Sequence, residues 1–218
     1  TALAIRGSHE ALGADDFPGQ LTDLLAYFSG SWPAGHPFGA ITAVPGKGEA
    51  PDVWLLGSSG YSAQVAAALG LPFAFAHHFM PANTLPALEL YRTHFRPSAV
   101  LEEPCAMIGV AVTCAETDDE ARRLAMPAAL SFLRVRTGRP STLPSPDEAA
   151  EYPYTPVERE FVEERLATQV IGSPARVRAG LESLLEATGV DELMITTTTF
   201  APSDRLRSFE LVASLRDC

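Results

Sequence analysis

Three things are scarce in this 218-residue chain: cysteine, positive charge and uninterrupted apolar runs. The three cysteines are Cys105, Cys114 and Cys218. Their number is odd, their spacing suits no metal, and one is the final residue. A disulfide framework is therefore not expected, and a reduced cytoplasmic compartment fits better. Lysine and arginine number 16 against 27 acidic residues, a net charge of -11. That balance argues against nucleic acid and against anionic membrane surfaces as partners, both of which attract basic patches. No apolar run reaches the ~18 residues of a membrane span, and no secretory h-region opens the chain.

What is present is ordinary globular material. The chain is 46% hydrophobic and 20% charged, with a mean hydropathy of +0.07. One sizeable core is affordable, and a single domain covering residues 1–218 is the expectation. The chain starts at Thr1 and runs directly into a helical pattern, Ala2 to Leu12, as a fragment of a longer protein would.

Apolar spacing predicts a helix around Leu21, Leu24, Leu25 and Phe28, followed by a loop with Trp32 and Phe38 that either anchor it or face a pocket. Ile41 to Val44 is a short strand candidate. The clearest unit comes next. DVWLLG, Asp52 to Gly57, predicts a buried strand, Gly57 to Tyr61 a tight turn, Ser62 to Gly70 a short helix, and Leu71 to His78 a second buried strand. This is the βαβ order that builds parallel sheets.

Further helices are expected over Leu85 to Phe95 and after a capping box at Thr117 and Glu120, the latter interrupted at Pro127. Others open at Thr155-Pro156 and Ser173-Pro174, and a last one spans Arg205 to Leu215. The helix after Ser173 is expected to bury Val177, Leu181, Leu184 and Leu185 and to close at Gly189. Ala106 to Cys114 and Glu192 to Thr197 predict two more buried strands. Arg139 to Tyr154, with Pro140, Pro144, Pro146 and Pro153, predicts a mobile loop or lid behind the basic cluster Arg134, Arg136 and Arg139. About four strand–helix pairs result. They amount either to half of a (β/α)8 barrel, which usually needs ~250 residues, or to a smaller open sheet.

Chemistry is most plausible at GSSGYSA, Gly57 to Ala63. The segment lies at the carboxyl end of a strand and the start of a helix, where α/β folds bind ligands. Its glycines let backbone amides approach an anion, its serines offer hydroxyls, and the helix end is partially positive. Two readings stand at this point: a phosphate site, or a tight turn capped by Ser59 or Ser62. A serine nucleophile is a weak third, since the terminal glycine of that elbow is absent.

His77 and His78 should point to opposite sides of their strand, leaving one to line a pocket and one for structure. His9, His36 and His94 suit surface roles. Glu102-Glu103 and Asp118-Asp119-Glu120 suit solvated ones.

The stretch WLLGSSGYSAQVAAALGLPFAFAHHFMPANTLPALELYRTHFRPS closely resembles a subgroup of the bacterial luciferase-like flavin-dependent monooxygenases. IGSPARVRAGLESLLEATGVDELMITT resembles the C-terminal helix and last strand of the same family. The resemblance implies a TIM-type (β/α)8 barrel of which this chain is the C-terminal portion, lacking the N-terminal strands, with an insertion around 139–154. It implies FMN, used in reduced form with O2 on a small organic substrate, with the deazaflavin as the alternative cofactor. A separate flavin reductase and a homodimer are implied as partners, and a non-catalytic flavin-binding role is the alternative to an enzyme. By the same resemblance Ser58, Ser59 and Ser62 are hydroxyl donors to the FMN phosphate. Gly57, Gly60 and Tyr61 contribute backbone contacts, and His77 lies beside the flavin. No catalytic residue carries over, and no metal is implied.

Overall fold

The computed structural model describes residues 16–45 and 48–217; the Ala2–Leu12 pattern, His9 and Cys218 lie outside them. The chain divides into two compact units, Thr1–Val53 and Trp54–Cys218.

In the first unit, α1 (Phe17–Ser29) ends where Gly30 turns left-handed at φ 68° and donates its N–H to Ala26. That is the usual glycine stop for a helix. Leu21 and Ala26 are buried, whereas Leu24 is exposed. Trp32 and Phe38 anchor the following loop: Tyr27 meets Trp32 edge-on at 4.8 Å, and Trp32 meets Phe38 at 6.0 Å. His36 stacks on Trp32 at 4.7 Å and sits 3.4 Å from Asp23, so it is more than a surface residue. Ile41 to Val44 forms no strand. Ile41 and Val44 are exposed, and the backbone there follows turns rather than a ladder.

The second unit is an open, wholly parallel sheet flanked by helices. Its elements are β1 (Leu55–Gly57), α2 (Gly60–Leu69), β2 (Phe73–Phe75), α3 (Thr84–His94), β3 (Ala106–Cys114) and α4 (Asp118–Arg136). They continue with α5 (Pro146–Glu151), α6 (Pro156–Ala167), β4 (Val170–Gly172), α7 (Pro174–Thr188), β5 (Glu192–Thr196) and α8 (Pro202–Ala213). β1 pairs with β2, and β2 pairs with the start of β3 through Phe73↔Ala106. β3 also pairs with β5 along Met107 to Ala111 and with β4 along Val112 to Cys114. The long β3 is the spine because its side chains are apolar and almost all buried.

Phe73, Phe75 and Tyr91 fill the core between β2 and α3, each fully buried, with Phe73 and Tyr91 rings 5.3 Å apart. The Tyr91 hydroxyl donates to Leu71 O at 2.9 Å and accepts the Cys105 N–H at 3.2 Å, which joins the entrances of β2 and β3. Arg92 donates to Thr188 O at 2.8 Å and to Gly189 O, capping the carbonyl end of α7. Such a cation at a helix C-terminus is favourable. Gly189 is the left-handed stop expected there, at φ 55°.

Several expectations need correction. Leu56 of β1 and Met194 of β5 are 68% and 49% exposed, so these strands are edges rather than buried strands. β4 was not anticipated, being only three residues long. On α7 only Val177 is buried among its expected inner residues, and Leu185 is exposed.

Helix α4 runs unbroken through Pro127, which is buried between Leu124, Ala125, Ala129 and Leu130. Burial along that face offsets the missing hydrogen bond. Thr117 caps Glu120 N–H at 3.2 Å, but the Glu120 carboxylate turns to Arg123 instead of closing the box.

The proline-rich stretch is not a free loop. Ser145 and Glu148 form a complete capping box for α5. Ala149 is fully buried against α4 and α6, with Tyr152 and Tyr154 packed beside it. Arg134 holds the stretch by donating to Ser141 at 2.9 Å and lying over the Tyr152 ring. Among the described residues, no helix is long and apolar enough to cross a membrane.

Candidate active site at the carboxyl end of the sheet

Because every strand pair is parallel, Gly57, Phe75, Cys114 and Thr196 all mark the same end of the sheet. The Gly57 carbonyl accepts the Ala76 N–H at 2.8 Å, which fixes the end of β1 to β2. The chain then turns directly into α2 with Ser59 in the N-cap position, extended at φ -142° and ψ 168°.

A side chain at Gly57 has no room, since an added Cβ would lie 2.4 Å from Ser62 Cβ and 1.8 Å from its Oγ. Gly60 is set by a neighbour too, since its Cβ would come 3.2 Å from Leu90 on α3. Ser62 Oγ donates to Ser59 O at 3.1 Å. Neither Ser59 nor an acidic residue caps the first turn of α2. By contrast α5 and α6 are closed by capping boxes. Among the described residues, the hydroxyls of Ser58 and Ser59 have no hydrogen-bond partner. Amides, hydroxyls and a helix dipole converge here, and the first turn of α2 carries no carboxylate to oppose an anion. The cradle fits a phosphate and offers neither acid nor base. Tyr61 lies beside it, partly exposed.

His77 and His78 fall in the turn after β2 rather than on the strand. His77 Nδ1 is 2.8 Å from the Thr84 hydroxyl, itself buried. Burial, and then the neighbouring His78, holds the His77 imidazole below its ordinary value of 6.5, so it is neutral at pH 7. His78 takes the other course. Its Nδ1 lies 3.0 Å from Gly109 O, which only accepts, so that nitrogen carries the proton. Gly109 is glycine because a Cβ would come 2.7 Å from that same nitrogen. His78 lines a cavity of about 260 Å³ together with Ser131, Phe132, Arg165, Gln169 and Thr196. Sequence reasoning missed this cavity, although Ala128, Ser131, Phe132 and Val135 share helical spacing on α4 and line it together.

The remaining residues of interest serve structure. Asp118 accepts the Ser173 N–H at 2.7 Å and pairs with Arg176, and these contacts lower its carboxyl pKa. Ser173 makes no side-chain cap of its own. His94 bonds within its own helix. Burial pushes the Cys114 thiol up to about 11, so it is inert at neutral pH. No histidine among the described residues is hydrogen-bonded to Ser58, Ser59 or Ser62.

Residues 24–192 match the family described as luciferase-like monooxygenase. The chain belongs to this family. The uncharacterized protein YvbT of Bacillus subtilis (strain 168) is 45% identical over 99% of the chain and 62% of its own length. A luciferase-like monooxygenase of Escherichia coli (strain K12) is 40% identical over the full chain and 63% of its own length. The chain therefore spans under two thirds of the length of these family members.

Among solved structures, apo-MsnO8 superposes with a TM-score of 0.81 at 36% identity, covering 94% of this chain and 61% of that one. More distant structures share the fold alone. One is the oxygenating constituent of 3,6-diketocamphane monooxygenase from Pseudomonas putida in complex with FMN, at TM-score 0.52, 22% identity and coverage of 78% and 49%. Another is the coenzyme F420 dependent tetrahydromethanopterin reductase from Methanopyrus kandleri, at 0.54, 13% and coverage of 89% and 60%. The open sheet is that of a luciferase-like barrel seen in part.

Proposed function

We propose that this chain forms the phosphate-binding part of an FMN-dependent monooxygenase that acts on a small organic molecule. The observation that carries the reading is the uncapped start of α2, where the Ser58 and Ser59 hydroxyls, unpartnered among the described residues, meet a glycine turn and a first helical turn without an acidic residue. Family membership and an FMN complex among the structures that share the fold support it. Reduced FMN, supplied by a separate reductase, would bring the electrons that activate O2, and the organic chemistry belongs to that cofactor.

This chain's residues bind and orient. The Ser58 and Ser59 hydroxyls and the first amides of α2 hold the phosphate. Gly57 lets Ser62 pack close enough to fix the turn. His78, pinned by Gly109 O, stands at the same end of the sheet with Nε2 as an acceptor when neutral.

The test is a titration of FMN into the wild-type chain and into a Ser58→Ala, Ser59→Ala double variant. Hydrogen bonds to charged groups contribute ~1.5–3 kcal/mol each, so the double variant is expected to lose at least ~2 kcal/mol of FMN affinity. Unchanged affinity would remove the phosphate assignment. Coenzyme F420, titrated in parallel, would replace FMN in this reading if it bound more tightly.

A further inference from the structure

The cavity beside His78 has a feature that flavin binding does not use. Arg165, on α6, is half-buried in its wall, with the guanidinium carbon 4.4 Å over the Phe132 ring. Four exposed arginines of this unit are paired with carboxylates: Arg122 with Glu163, Arg123 with Glu120, Arg176 with Asp118, and Arg207 with Glu116. Arg165, which is less hydrated, is in no ion pair among the described residues. Its pKa is lowered by burial alone, with no neighbouring charge to compensate.

The ring contact satisfies one face of the guanidinium and leaves its N–H edge, which carries five donors. No Asp or Glu lines this cavity, while Ser131, Gln169 and Thr196 add neutral polar groups. The larger cleft around Asp118, Asp119, Arg122, Glu163 and Arg176 differs, because its arginines are already neutralised from within.

We propose that the Arg165 cavity is a recognition site for the carboxylate of a small organic ligand. A half-buried guanidinium without a charged partner has lost part of its hydration, and an incoming oxyanion supplies hydrogen bonds to it in a bidentate fork. A single cation matches a planar monoanion better than a phosphate dianion, which gains most from a second positive group. The volume, about 260 Å³, lies just under the roughly 300–1,000 Å³ of small-molecule pockets, which limits the ligand to a compact one. Phe132 offers it an apolar wall. Calling this ligand the substrate rests on the oxygenase reading; the anion preference itself does not.

The test is calorimetric titration of the chain with benzoate and hexanoate, each against its neutral amide, and with inorganic phosphate. At least one carboxylate is expected to saturate and to bind 10-fold or more tightly than its amide. Arg165→Gln should abolish that preference and Arg165→Lys should retain part of it. Phosphate should not displace the carboxylate. The inference is overturned by equal affinity for acid and amide, by no saturable binding of either acid, by a preference that survives Arg165→Gln, or by displacement with phosphate at equal affinity. The wild-type comparison of acid with amide decides alone if the variants do not fold. Loss of FMN binding with the acid preference intact would sink the flavin reading and spare this one.

Discussion

Gly57→Ala is expected to weaken FMN binding by at least about 30-fold, the equivalent of ~2 kcal/mol. It should also cost about 1–3 kcal/mol of stability by overpacking. The new methyl would stand 2.4 Å from Ser62 Cβ and 1.8 Å from its Oγ. Rotating the serine moves only the oxygen. The Cβ is fixed to the first turn of α2, so the helix start must retreat from the strand end, taking the amides and the Ser58 and Ser59 hydroxyls with it.

The same geometry predicts which second change restores binding. Ser62→Gly removes both clashing atoms and should recover part of the affinity, less the contribution of the lost hydroxyl. Ser62→Ala leaves the Cβ in place and should recover little. Fluorescence titration of the four proteins with FMN checks the order: wild type, then Gly57→Ala with Ser62→Gly, then Gly57→Ala with or without Ser62→Ala. Equal rescue by alanine and glycine would show that the Cβ contact is not the constraint.

Phe73→Ala should be the most damaging single truncation in the sheet, at about 3–5 kcal/mol. Phe73 is fully buried, and its ring lies against Phe75 at 6.2 Å and Tyr91 at 5.3 Å, the junction of β2 with α3. Domains of this size hold roughly 5–15 kcal/mol in total, so the loss takes a large share of the margin. Urea denaturation is the measurement. Leu56→Ala, at a side chain 68% exposed on the edge strand β1, is the control and should change stability by less than about 0.5 kcal/mol. Equal losses would mean that β2 is not the centre of the packing.

Legibility in the sequence followed the range of the interaction. β3 was read to its residue limits because nine consecutive small and apolar residues suit only a strand covered on both sides. The start of α6 was read because Thr155, Pro156 and Glu158 act within one turn, and Gly189 because a left-handed stop is a local event. The turn from β1 into α2 was visible for the same reason, as its glycines and serines lie within six consecutive residues.

What escaped depends on partners distant in sequence. Leu56 and Met194 sit in apolar runs like those of core strands, and only the sheet shows that, among the described residues, neither strand has a neighbour on its outer side. Four prolines between Arg139 and Tyr154 suggested mobility, while the local box of Ser145 and Glu148, there to be read, was overlooked. Arg165 looked like any charge on a helix, because its neighbours Phe132, His78 and Thr196 come from three other segments. The His77-His78 pair was read as lying on a strand and facing opposite ways, whereas the fold puts both in the turn after β2. Their partners, Thr84 for His77 and Gly109 for His78, are brought near only by the fold.

The central claim is that the turn from Gly57 to Ser62 holds the flavin through its phosphate. Riboflavin differs from FMN by that group alone, so calorimetric titration of the wild-type chain with both isolates it. The account predicts saturable FMN binding, with riboflavin at least 10-fold weaker and FMN displaced by excess inorganic phosphate. Equal affinity for the two flavins, or no binding of either to the folded chain, would contradict it.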